Sequence, residues 1–73
     1  MAEKILIIGA CGQIGTELTL KLREIHGNDQ VVASDIREGV DELMQSGPFE
    51  ILNATDEVHI RQIIETYNIK EVY

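Results

Sequence analysis

Seventy-three residues allow one small domain, whose core rarely contributes more than roughly 3–5 kcal/mol without a disulfide, a metal or a partner. Thirteen acidic against six basic residues give a formal net charge of -7 with no basic stripe to offset it, which argues against nucleic-acid and anionic-membrane partners. Apolar residues form 44% of the chain but aromatics only 4%, so the interior must be built from Ile, Leu and Val, and the single cysteine, Cys11, excludes an internal disulfide.

The start, Met1-Ala2-Glu3, has the character of neither a signal peptide nor an Arg-rich transit sequence, and no apolar run approaches a membrane span. A reducing cytoplasm is the expected compartment. Lys4–Ile8, "KILII", is a continuous apolar run of the kind that forms a strand buried on both faces of a parallel sheet. Ile14, Leu18, Leu22 and Ile25 then recur at helical steps and are expected to share the inward face of a helix that ends at His26–Asp29. Gln30–Asp35 reads as a second strand. Val40, Leu43 and Met44 permit a short helix before the stop signal Ser46-Gly47-Pro48, and Phe49–Asn53 reads as a third strand. Thr55 or Asp56 can cap a helix from about Glu57 to Tyr67, with Ile60, Ile63, Ile64 and Tyr67 facing inward. "IKEVY" begins a fourth strand.

Strands alternating with helices make right-handed parallel crossovers, so the expected fold is α/β with strand order 3-2-1-4 in a single unit over residues 1–73. The order reverses between strands 1 and 4, which opens a crevice at their carboxyl ends. "GACGQIG", Gly9 to Gly15, lies at its mouth. Three glycines three positions apart have separate uses there: Gly9 for a turn needing positive φ, Gly12 for close approach of a ligand to the backbone, Gly15 for close packing of helix on sheet. The free amides at the start of the following helix suit a pyrophosphate. Asp35 ends the second strand 20 positions after Gly15 (35 − 15), where a carboxylate can accept hydrogen bonds from an adenosine ribose. Together these features predict a dinucleotide site. Asp35 would repel a 2′-phosphate, so NAD rather than NADP is the expected cofactor, although the adjacent Arg37 is the kind of residue that clamps that phosphate.

The spacing G-x-x-G-x-x-G resembles that of the short-chain dehydrogenase/reductase superfamily, in its extended, epimerase-like branch, and the resemblance runs through all 73 residues. It implies the amino-terminal part of a Rossmann-type doubly wound sheet. "KILIIGACGQIGTEL", "ASDIR" and "SGPFE" look most like the short-chain type of L-threonine 3-dehydrogenases, which implies oxidation of L-threonine by NAD in a homodimeric complete enzyme. The resemblance further implies that the amides of Gln13 and Ile14 meet the pyrophosphate, that Ile36 lines the adenine pocket, and that Asn53 and Ala54 contact adenine. Asn53 departs from the Asp usual at its position.

Other residues that invite a catalytic reading have plainer ones. Cys11 has no His or acid placed nearby in sequence to activate it and reads as a small filler of the loop. His26 and His59 do not make a metal-ligand spacing, so no metal site is expected. Tyr67 and Lys70 are one residue too close for the superfamily's Y-x-x-x-K, so Tyr67 reads as core and Lys70 as surface. No catalytic residue is expected in the chain, because the resemblance places the Ser or Thr and the Tyr/Lys pair downstream of the fourth strand. The apolar onset at Val72-Tyr73 suggests part of a longer enzyme. A sugar-nucleotide 4-epimerase or dehydratase and a non-catalytic nucleotide-binding module are the alternatives.

Overall fold

The computed structural model describes residues 4–73; Met1-Ala2-Glu3, on which the expectation about a leader rests, lies outside the described residues. Four parallel strands, β1 (Lys4–Ile8), β2 (Val31–Asp35), β3 (Phe49–Ile51) and β4 (Ile69–Val72), form one sheet in the order β3-β2-β1-β4. The helices α1 (Gln13–His26), α2 (Asp41–Gln45) and α3 (Glu57–Tyr67) connect them. The expected α/β fold and strand order are therefore present.

Alternation along the strands divides the interior into two layers, because successive side chains of a strand point to opposite faces. Ile5, Ile7, Val31 and Ala33 pack with Leu43 of α2 and with Leu18 and Leu22 of α1. On the other face Leu6 and Val32 pack with Leu52, Ile63 and Ile69, flanked by Ile60, Ile64 and Tyr67. The expected inward face of α3 is thus correct. Its start is capped by Asp56, whose Oδ1 accepts from the His59 amide at 3.0 Å, and it ends at Asn68, whose φ of 57° is one that Asn tolerates. Tyr67 lies against this core layer and donates its hydroxyl to Glu50 Oε2, whereas Lys70 is exposed on β4.

The inward face of α1 differs from expectation. Leu18 and Leu22 do pack on the core, but Ile14 and Ile25 are 81% and 62% exposed, and the fully buried residues are Thr19 and Arg23. Gly15 sets this rotation. A Cβ on Gly15 would collide with the Gly9 carbonyl and lie 2.9 Å from Ala10 Cα, so the Gly15 side of α1 is pressed onto the end of β1. Residues 19 and 23 follow at steps of four on that line, and Ile14 and Ile25 turn outward.

Arg23 is held by backbone rather than by an acid. Its guanidinium donates to the carbonyls of Val31 (3.1 Å), Leu43 (2.8 Å) and Pro48 (2.6 Å) and to Ser46 Oγ (2.8 Å). Gly47 makes the room, since a Cβ there would lie 2.7 Å from Arg23 Nε. Burial pulls the guanidinium below its ordinary pKa, but arginine keeps its charge in proteins.

β3 is shorter than the predicted Phe49–Asn53: it runs Phe49–Ile51, and Leu52 just beyond it is buried, with its amide extending the pairing to the Asp35 carbonyl at 2.8 Å. β2 starts one residue later than expected, since Gln30 closes a 3-10 turn over Asn28–Gln30. Pairing between β1 and β4 continues to Tyr73, whose N–H donates to the Leu6 carbonyl at 2.9 Å. Among the described residues, no helix is long and apolar enough to cross a membrane.

Candidate functional site

The carboxyl ends of β1 and β2 are joined by a compact set of hydrogen bonds. Gly9, in the left-handed region at φ 81°, turns the chain out of β1, and its amide and that of Ala10 both donate to the Ser34 carbonyl at 2.9 Å. Ser34, buried below, donates its hydroxyl to the Ile7 carbonyl at 2.7 Å. Thr16 Oγ1 donates to the Ala10 carbonyl at 2.9 Å, which fixes the first turn of α1 to the loop. The glycine loop is therefore built against β2 before any ligand arrives.

Asp35 is the junction between the two strand ends. Its Oδ2 accepts the Cys11 amide at 2.9 Å and its Oδ1 the Ile36 amide at 2.7 Å. Burial pushes the Asp35 carboxyl up, but these two N–H donors and the Arg37 charge outweigh it, and the net shift is below the ordinary range. A carboxylate has about four acceptor positions, so a pair of hydroxyls can still be accepted.

Gly12 caps α1 with its carbonyl, which accepts the Thr16 amide at 2.8 Å. The amides of Gln13, Ile14 and Gly15 precede that bond, in the turn where an α-helix leaves N–H groups without intrahelical acceptors. No protein atom occupies the space over Gly12: an added Cβ would meet nothing nearer than the Gly9 carbonyl at 4.0 Å. Donors at a helix start, an open approach over Gly12 and a carboxylate at the next strand end fit a dinucleotide. Ile14 and Ile36, 81% and 65% exposed, add apolar surface at the same end of the sheet.

Asn53 and Ala54 follow β3 at this edge and are exposed. The Asn53 side-chain carbonyl already accepts from the Thr55 amide at 2.9 Å and the Thr55 hydroxyl at 2.7 Å, so the amide NH2 is the group left for a ligand. An acceptor, rather than a donor, is the matching partner for that group. His26 lies exposed at the end of α1, and His59 in the first turn of α3. Cys11 shows no sign of nucleophilic activation: burial and the neighbouring Asp35 charge raise its pKa, and its thiol donates to the Arg37 carbonyl at 3.1 Å. Sequence reasoning missed Cys11's amide, Ser34 and Thr16 as parts of the site. Their contributions run through backbone atoms and local geometry, which residue type does not signal.

No family model matches the chain. It is 53% identical over 66 residues to an uncharacterised epimerase/dehydratase of Staphylococcus haemolyticus, a match that covers 89% of this chain and 21% of the relative. The chain thus spans about a fifth of the length of such curated relatives. Among solved structures it superposes on the L-threonine dehydrogenase of Clostridium difficile with a TM-score of 0.90 and 43% identity, covering 97% of this chain and 23% of that one. A UDP-glucose 4-epimerase from Brucella ovis in complex with NAD gives a TM-score of 0.74 at 26% identity, covering 97% and 22%. The chain matches the amino-terminal part of an extended short-chain dehydrogenase/reductase.

Proposed function

We propose that this chain forms the adenosine and pyrophosphate side of an NAD site. Gly9, Gly12 and Gly15 shape the loop, the amides of Gln13 and Ile14 receive the pyrophosphate, and Asp35 accepts from the adenosine ribose. Ile36, with Asn53 and Ala54 across the end of β3, borders the base, and Arg37 follows two positions after the carboxylate that meets the ribose. The observation that carries this reading is the direct bond from the glycine loop to Asp35, Cys11 N–H to Oδ2 at 2.9 Å, which sets the two anchoring points of an adenosine diphosphate relative to each other.

The complete protein is proposed to oxidise the 3-hydroxyl of L-threonine to 2-amino-3-oxobutanoate. NAD, when bound, accepts the hydride from C3, while a base outside these residues takes the hydroxyl proton. The overlap with L-threonine dehydrogenases supports this assignment. Sequence likeness to proteins named epimerase/dehydratase favours a second reading, in which the cofactor is recycled on a sugar nucleotide. Net NADH formation from threonine by the complete protein is the expected result. Its absence, together with sugar-nucleotide turnover, would transfer the assignment to the second reading.

The cofactor itself is tested at Asp35. Losing a hydrogen bond to a charged group costs about 1.5–3 kcal/mol, so Asp35→Ala is expected to weaken NAD binding by roughly one to two orders of magnitude. NADP affinity relative to NAD is expected to rise. An unmoved preference in calorimetric titration would reduce Asp35 to a strand-end residue.

A further inference from the structure

The strand ends follow one another across the site. The glycine loop lies at the end of β1 and Asp35 at the end of β2, joined by the Cys11 amide bond to Oδ2 at 2.9 Å. β3 comes next in the sheet, and the Leu52 amide donates to the Asp35 carbonyl at 2.8 Å, so Asn53 is the first residue past that bond. A nucleotide with its pyrophosphate at the loop and its ribose at Asp35 carries its base onward to the Asn53 side. Asn53 is exposed, but its side chain is held in one orientation. Thr55 donates to Asn53 Oδ1 twice, from its amide at 2.9 Å and its hydroxyl at 2.7 Å, and the Asp56 amide closes the loop on the Asn53 main-chain carbonyl at 2.9 Å. A main-chain N–H can only donate, so the atom that faces Thr55 must be the oxygen. Both lone pairs of that oxygen are spent. Nδ2, with two N–H donors, is the polar group left for a ligand.

We infer that Asn53, held by Thr55 with its NH2 outward, sets the base specificity of the site: it favours a purine with an acceptor at position 6 and removes the preference for adenine over hypoxanthine. This rests on the NAD-site reading and concerns the base alone. An asparagine that reads adenine uses both halves of its amide, the oxygen accepting from the 6-amino group and the NH2 donating to N7. Here the first half is committed to Thr55. The 6-amino group of adenine would meet Nδ2 donor to donor, whereas the 6-oxo group of hypoxanthine accepts from it, as does the N7 of either base. An aspartate at this position can keep one oxygen on Thr55 and turn the other outward as an acceptor. Exchanging Asn for Asp therefore reverses the outward polarity at nearly constant size. Ile36, 65% exposed at the end of β2, offers apolar contact that does not tell the two bases apart.

The test is calorimetric titration of the protein with NAD and with nicotinamide hypoxanthine dinucleotide, in the wild type, Asn53→Asp and Asn53→Ala. The wild type is expected to bind the hypoxanthine dinucleotide at least as tightly as NAD. Asn53→Asp is expected to shift the ratio of the two affinities about tenfold toward NAD, the effect of replacing an unmatched donor by a hydrogen bond. The added negative charge acts on both ligands alike and drops out of the ratio. Asn53→Ala has no outward polar group and is expected to give a ratio between those two. A residue that only shapes the turn would leave the ratio unmoved in Asn53→Asp, which keeps the oxygen that Thr55 needs. An unmoved ratio, or a shift toward hypoxanthine, overturns the inference while the NAD site stands. A wild-type protein that binds neither dinucleotide removes the NAD site and the inference together.

Discussion

The two ends of β2 carry polar clusters of opposite design. At its amino end Arg23 makes four hydrogen bonds, to three carbonyls and a hydroxyl, and its charge is sealed at 2% exposure. At its carboxyl end Asp35 takes two amides, stays half-buried and keeps acceptor capacity, opposite the amide donors at the start of α1. A cluster in which every guanidinium nitrogen is bonded to the protein holds the fold together. One with capacity left at a surface is open to water or to a ligand.

The largest expected effect lies at the closed end. Arg23→Met keeps much of the volume but removes this donor from the Val31, Leu43 and Pro48 carbonyls; Pro48 keeps the Ala33 amide at 3.0 Å and Leu43 the Ser46 hydroxyl at 3.4 Å, and a group left buried and unpaired costs about 1–3 kcal/mol. In a chain this short such a loss approaches the whole stability, so an unfolded circular-dichroism spectrum is expected. Arg23→Lys is expected to rescue it poorly, because an ammonium cannot reproduce the planar fork. A folded Arg23→Met protein of near wild-type urea midpoint would show that the cluster is incidental.

The glycines sharpen the contrast within α1. Gly15→Ala drives a Cβ into backbone that cannot retreat and is expected to cost about 1–3 kcal/mol in urea unfolding. Gly12→Val enters open space at an ordinary φ of -69°, so stability is expected to change little while NAD binding is lost. Equal losses of stability from both substitutions would dissolve the distinction between a packing glycine and a ligand glycine.

The smallest expected effect is on pH. Because the folded-state pKa of Asp35 is lowered, its contribution to stability is fully present above the ordinary Asp value of about 3.9 and is lost as pH falls through the lowered value. Asp35→Asn is expected to flatten that part of the acid-unfolding profile. An unchanged profile would mean that the two amide bonds do not favour the charged form.

Much of the carboxyl end was legible in the sequence, since it is written in residue types with few substitutes: a positive-φ glycine at position 9, a glycine at 15 where no Cβ fits, and an acid closing an apolar strand. The bounds of β1 and α3 were equally plain, because apolar content and periodicity agreed there. The amino end was not legible. An arginine within an amphipathic helix reads as surface, and its partners are main-chain carbonyls and a hydroxyl 8 to 25 residues away, which no periodicity marks. The one available signal was the four-residue step Gly15, Thr19, Arg23, outweighed by the apolar residues beside it. The same rotation put Ile14 and Ile25 in solvent. Asn53, expected as the last residue of β3, lies beyond it, and its turn with Thr55, which commits the carbonyl oxygen, depends on loop conformation.

The most direct measurement is an amide-resolved nuclear magnetic resonance titration of the protein with NAD. Shifts are expected at Gly9, Gly12–Gly15, Asp35–Arg37 and Asn53-Ala54, saturating together, with Arg23, Leu43 and Ser46 unmoved at the other end of β2. Saturable shifts centred on the Arg23 cluster, or no shifts at the carboxyl end while the protein remains folded, would contradict the assignment of that end as the nucleotide site.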